Sequence, residues 1–292
     1  MQTDFKSAGR NSKRIISMYK RLSLFVLLLC LSIPALFGQS DSLTVSFKLE
    51  KLYDRLSKNF DDSVRIRIND SIITIVESYV ESDTVFLHRF GNVRFLGQIT
   101  SPDSIIKIVT WNLILTDQPG RYYSYIIKRQ KQTTHNIVYK LTAPYNPDPV
   151  KTDTTYSADN WYGALYYAIM PEIINGRSCW MLLGIDYGNL DITRKIIDIL
   201  TFDKDDRISF GMNSFMSSDV RSYREVFEYS ATATMTLRFG GDDSILFDHL
   251  VPFAPEMIND RRYYGPHYSN DAYVLENGFW RFKLNVDARN KD

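Results

Sequence analysis

The residues best able to do chemistry lie close together toward the C-terminal end: Asp248 and His249 in Phe247-Asp248-His249-Leu250, then His267 and Asp271 shortly after. Two imidazoles and two carboxylates can hold a divalent metal or form an acid–base group. Their spacing matches no metal motif, and neighbours on a strand face opposite ways, so Asp248 and His249 share a direction only where the strand has ended. The simpler alternative is that Asp248 caps a turn and His249 packs beneath the loop. Convergence of the four in one concave pocket is what would separate an enzyme from that alternative.

Other groups carry weaker patterns. Asp186, Asn189 and Asp191 in Ile185-Asp186-Tyr187-Gly188-Asn189-Leu190-Asp191 resemble the alternating oxygen ligands of a calcium loop, but the central glycine and the closing glutamate are missing from their places. A polar turn after a strand accounts for them equally well. Tyr263, Tyr264 and Tyr268 in a long late loop could stack on a sugar or peptide, although aromatics in β-rich chains are more often core. Cys179 lies in the apolar run Ser178-Cys179-Trp180-Met181-Leu182-Leu183, where a cysteine is usually a small buried hydrophobe rather than a nucleophile. His88 and His135 have no local partner of chemical interest. Gly-x-Ser-x-Gly, a glycine-rich phosphate loop and the dinucleotide fingerprint are all missing, so no cofactor is expected. Lys128-Arg129-Gln130-Lys131 reads as a solvated hairpin end.

These residues need elements to position them. Leu49, Leu52, Tyr53, Leu56 and Phe60 recur at helical spacing, Asp61-Asp62-Ser63 offers a break and N-cap, and Ile68, Ile72, Ile75, Val76 and Tyr79 form a second apolar face. The pattern predicts a helical hairpin whose apolar stripe packs on the protein's own sheet, with partner binding as the alternative. After about residue 92 short runs rich in Ile, Val, Tyr, Phe and Thr alternate with turn residues, which predicts about a dozen strands. The clearest hairpins join Tyr162–Ile173 to Arg177–Asp186 through Asn175-Gly176, and Ala272–Glu276 to Phe279–Val286 through Asn277-Gly278. Both faces of the first pair are apolar, so those strands are expected to be central. Arg224–Phe239 reads as one strand, while Pro144–Asn160 and Pro252–Asp271 read as irregular. With almost no helix between strands the sheet must be mainly antiparallel. No motif repeats with the hairpins, which disfavours a propeller. The fold class is α+β: a helical hairpin over 39–91, packed on the sheet, and a large antiparallel β domain over 92–292, as a sandwich or partly open barrel.

The 292 residues include 35 Lys plus Arg, 34 Asp plus Glu and 44% hydrophobic residues, which excludes a disordered chain. Near the start, Lys20-Arg21 precede a run of about a dozen mostly apolar residues that ends at Pro34-Ala35-Leu36-Phe37-Gly38, the order of a secretory signal. The run is short of the roughly 20 residues a membrane-crossing helix needs, so no stable transmembrane anchor is expected. Residues 1–38 are read as a signal peptide, with Met18 as an alternative start and cleavage after Ser40 as the rival to cleavage after Gly38. Leu29 is too large for the small position ahead of a lipid-anchored cysteine at Cys30. Removing six basic residues and one acidic residue leaves 29 against 33 and a formal charge of about −4, which argues against nucleic acid as a partner. Cys179 is then a lone cysteine, so stability must come from the core.

Several motifs act together as a signature: Leu183-Gly184-Ile185-Asp186, Thr193-Arg194-Lys195, Arg224–Ser230, Phe247-Asp248-His249-Leu250-Val251-Pro252, Tyr264-Gly265-Pro266 and Asn277-Gly278-Phe279-Trp280. In order and spacing they resemble an uncharacterised family of exported Bacteroidota proteins. That resemblance implies export to the periplasm or outer surface and no particular activity. The reading is therefore an exported envelope protein of the non-enzymatic binding or structural kind, engaging an envelope protein, peptide or glycan. The alternative is a hydrolase or metal-dependent enzyme using Asp248, His249, His267 and Asp271.

Overall fold

The structure, a computed structural model, describes residues 44–91, 93–130, 135–241 and 243–287. The signal peptide expected over 1–38, with Met18 and Cys30, and Lys131 of the basic tip lie outside the described residues. Two units separate. The small one comprises Met1–Glu50 with Phe90–Val93, and in it the Gly91 N–H donates to Ser46 Oγ at 3.3 Å. The large one, Lys51–Arg89 with Arg94–Asp292, holds the three sheets.

Helix α1 covers 44–58 and α2 covers Asp62–Val80. The chain turns between them because the Asp61 carboxylate accepts the Val64 N–H at 3.0 Å and caps α2. Ile68, Ile72 and Val76 of the expected apolar stripe are buried. Phe60, read as part of the α1 stripe, is instead 79% exposed, since α1 ends before it.

The first sheet follows chain order, β1 (Gly97–Thr100), β2 (Ile106–Leu113), β3 (Arg121–Lys128) and β4 (Ile137–Pro144). The second is ordered β5 (Tyr156–Ser157), β9 (Ile208–Phe210), β8 (Ile192–Phe202), β7 (Arg177–Asp186) and β6 (Leu165–Ile174), with β12 (Glu225–Ser230) beside the N-terminal half of β8. The third is ordered β11 (Val220–Ser222), β10 (Phe215–Ser217), β16 (Phe279–Val286), β15 (Tyr264–Glu276), β14 (Ser244–Pro252) and β13 (Leu237–Phe239). Pairing is antiparallel except between β10 and β16 among the described residues, and no sheet closes into a barrel.

The second sheet is central, as its two apolar faces require. Successive side chains alternate: Trp180, Leu182, Ile196 and Leu200 pack with Ile106, Ile108 and Ile126 of the first sheet. Cys179, Met181, Leu183, Ile197 and Ile199 pack with Phe215, Ile245, Tyr273 and Trp280 of the third. Helix α2 joins the first sheet by its outer side, where Trp111 Nε1 donates to Asn69 Oδ1 at 2.9 Å and Tyr125 OH to Glu77 Oε1 at 3.1 Å. The Asn175-Gly176 turn has φ of +51° and +77°, the left-handed pair that a tight hairpin uses.

Two arginines lie fully buried on the central sheet. Arg194 donates to Glu228 Oε1 and Asp186 Oδ2, both at 2.9 Å, and to the carbonyls of Asn146 and Pro147. Arg224 donates to Asp198 Oδ2 at 3.1 Å and to the carbonyls of Lys151, Thr154 and Phe210. Gly211, at φ +97°, leaves room for the Arg224 guanidinium, which a Cβ there would meet at 2.5 Å. Burial drives the Asp198 carboxyl above its ordinary range, and the Arg224 cation pulls against that rise.

Two expectations are corrected. The stretch 224–239 is not one strand, because the chain leaves the second sheet after Ser230 and enters the third at Leu237. Pro252–Asp271 is irregular only as far as Tyr263, since β15 already pairs with β14 at Tyr264, Gly265 and Pro266. Pro266 is tolerated because β16 joins β15 only from Asn270 onward, so its missing N–H faces no ladder on that side.

Arg224→Met leaves the Asp198 carboxylate buried without its cation and should cost about 3–5 kcal/mol in urea unfolding. Adding Asp198→Leu should recover part of the loss and not all of it, because three carbonyls still lack their donor. Equal stability of Arg224→Met and the parent protein would show that this pair is not a structural element.

Candidate functional site

The structure brings two of the four expected residues into contact. Phe247 of β14 pairs with Asp271 of β15, so His249, two residues further on, lies on the same face as Asp271 and diagonal to it. The register shifts on either side: three residues of β15, 267–269, face His249 alone, and two of β16, 284 and 285, face Asp271 alone. His249 Nδ1 and Asp271 Oδ2 are 2.7 Å apart. A carboxylate only accepts, so Nδ1 carries the proton and Nε2 is the basic nitrogen of the neutral ring. The other carboxylate oxygen accepts the Asn285 N–H at 3.0 Å, which fixes Asp271 from behind. Asp271 is buried, whereas the His249 side chain is 32% exposed.

The pair borders a cavity of about 320 Å³ whose lining includes Phe227, Phe282, Glu228 and Arg261. Glu228 is held by Arg194, and the Arg261 guanidinium lies over the Tyr264 ring at 4.2 Å. No serine, threonine or cysteine lines this cavity among the described residues. His249 can therefore move a proton, with water as the available nucleophile.

Asp248 and His267 do not join the pair. Asp248 Oδ2 accepts the Thr236 N–H at 2.7 Å and Oδ1 accepts from Asn270 Nδ2 at 3.1 Å, so Asp248 ties down the crossover between β12 and β13. His267 is exposed, and its ring meets that of His249 edge to face at 6.4 Å. Among the described residues no three His, Cys, Asp or Glu side chains are grouped as metal ligands.

The calcium-like residues are also committed elsewhere. Asp186 Oδ1 accepts from Tyr122 OH and Gly188 N–H, and its Oδ2 accepts from Arg194. Asn189 Oδ1 accepts the N–H groups of Asp191 and Ile192, which is a polar turn. The three late tyrosines share no surface: Tyr264 is buried with its hydroxyl donating to the Ile258 carbonyl at 2.6 Å, Tyr263 is half-exposed and Tyr268 is fully exposed. Cys179 packs between the second and third sheets, and burial pushes its thiol up to about 12.

A second concavity is lined in part by the apolar stripe of α1, for which partner binding is the alternative to packing on the sheet. Tyr53, Leu56 and Phe60, together with Phe95 and Ile114, line an apolar groove of about 400 Å³. Three of these are large apolar residues in solvent, Phe60 at 79%, Ile114 at 57% and Phe95 at 55% exposed. Its walls are fixed by polar bonds behind them. Arg65 Nε donates to the Ile114 carbonyl at 2.7 Å, and Nη1 donates to the carbonyls of Leu56 and Asn59 at 3.0 and 2.7 Å. The Asp62 carboxylate accepts the N–H groups of Thr116 and Asp117 at 2.9 and 2.8 Å. The available signal was an apolar residue out of register with its element, Phe60 after the polar end of α1.

No protein-family model, curated protein or solved structure matches the chain.

Asp271→Asn should remove the acceptor that fixes the His249 tautomer. Nitrogen chemical shifts of the parent's neutral imidazole should report Nδ1–H, and the variant should show a mixture. Unfolding should become easier by about 1–3 kcal/mol, because the Asn285 N–H and His249 both lose a charged partner. An unchanged tautomer would mean that Asp271 does not orient the ring.

Proposed function

We propose that this is an exported protein of the bacterial envelope that works by binding, with the groove beside α1 and α2 as its binding surface. One observation carries the reading: three large apolar side chains stand in solvent around a concavity whose walls are held by Arg65 and Asp62. Exposed apolar groups grouped around a concavity mark interaction sites more often than isolated ones do. Walls fixed before a ligand arrives lower the ordering cost of binding. Export rests on the signal-like order around Lys20–Gly38 and on the motifs that resemble exported Bacteroidota proteins. Among the described residues no helix is long and apolar enough to cross a membrane.

The alternative, a hydrolase at the His249 cavity, draws support from one feature. His249 Nε2 engages no hydrogen-bond partner among the described residues, while Asp271 holds the opposite nitrogen. The same site offers neither a side-chain nucleophile nor a grouped ligand set for a metal among those residues. Binding is the better supported of the two.

The neutral dye N-phenyl-1-naphthylamine should brighten and shift to the blue on adding the protein. The double variant Phe95→Ser/Ile114→Ser, altered at exposed positions, should lose most of that signal while its circular dichroism stays unchanged. Dye binding that survives both substitutions would place the apolar site elsewhere and remove the observation on which this reading stands.

A further inference from the structure

We propose that the groove takes an apolar monocarboxylate, of which a fatty acid is the simplest, with its head at Arg65 and its chain against Leu56, Phe60, Phe95 and Ile114. This rests on the groove being a binding site, and it adds the chemistry of the ligand. Arg65 is the single charged residue of the lining. The three carbonyls that hold it are neutral, and it forms no ion pair among the described residues. Its Nε and Nη1 are used by those carbonyls, whereas Nη2 has no partner among the described residues. A guanidinium already pinned at two nitrogens loses little further freedom when an anion docks on the third.

A guanidinium only donates, which suits a carboxylate because it only accepts. A single cation also fits a monovalent head better than a phosphate, which carries about −1.5 to −2 and is usually met by several arginines. The groove volume of about 400 Å³ falls within the range of small-molecule sites.

The test is displacement of N-phenyl-1-naphthylamine from the purified protein by decanoate, decan-1-ol and decylamine, each below its micellar concentration at pH 7.5. Decanoate should compete at about a tenfold lower concentration than the alcohol, with the amine weakest, since a charge-assisted hydrogen bond exceeds a neutral one by about that factor. Arg65→Met could disturb the walls, so a milder variant carries the result. Ile114→Glu should abolish the preference for decanoate over decylamine. If the dye binds and the three compounds compete equally, the carboxylate proposal is overturned and the binding reading stands. If no dye binds and sedimentation shows a monomer, both fail. A dimer by sedimentation that Ile114→Glu splits into monomers would overturn the proposal in favour of a second copy of the chain.

Discussion

A sheet covered on both faces leaves no water for the loops that must cross it, and two arginines resolve that constraint here. The chain from Asn146 to Thr154 runs without regular partners beside the central sheet, so its carbonyls need donors from elsewhere. Arg194 supplies Asn146 and Pro147, and Arg224 supplies Lys151 and Thr154. Arginine suits this task because its planar fork carries five N–H donors, so one side chain can serve carbonyls and a carboxylate together. Asp186, Glu228 and Asp198 neutralise the two cations, and Tyr122 and Tyr162 donate to the carboxylates that result. Such a network adds little net stability over an apolar core of the same volume. What it supplies is an irregular segment held in one place and β12 held against β8. Glu228, fixed by Arg194, then forms part of the wall opposite His249.

The legible parts of this fold are those decided locally. Asn175-Gly176 and Asn277-Gly278 specify tight hairpins by backbone sterics alone, and the apolar residues on both sides of β6 and β7 place their sheet between the other two, with β6 at its edge. β15 is illegible for the opposite reason. Tyr264-Gly265-Pro266-His267 has poor strand character, and only its pairing to Leu250, Val251 and Pro252 makes it a strand. The single long strand expected over 224–239 fails similarly, since a change of sheet at Ser230 costs nothing that composition records.

The candidate chemistry divides along the same line. Asp186 looked like a metal ligand because its arginine partner lies across a hairpin, at the register position opposite Arg194. Once that register is known, the motifs built on Asp186, Arg194 and Glu228 read as one ion cluster, and Arg224 with Asp198 as a second. The contact between His249 and Asp271 follows from the register that sets Phe247 opposite Asp271, and no local pattern announces that register because the β15 half of it reads as loop.

A group that serves the fold has its hydrogen-bonding capacity used up, and a group kept for a ligand has some left over. Asp186, Asp248, Arg194 and Arg224 belong to the first kind: each has several polar atoms occupied by chain partners. Arg65 belongs to the second, since it spends two nitrogens fastening Leu56, Asn59 and Ile114 and keeps a third. His249 is intermediate, with one nitrogen fixed by Asp271 and one open to a cavity. Apolar exposure separates the two open sites. Phe60, Phe95 and Ile114 stand in solvent around the groove, whereas Phe227 and Phe247 beside His249 are packed ring against ring at 4.5 Å within the core of the third sheet. An apolar surface left uncovered is unfavourable for the free protein, and an amphiphilic anion covers it while engaging the open nitrogen of Arg65.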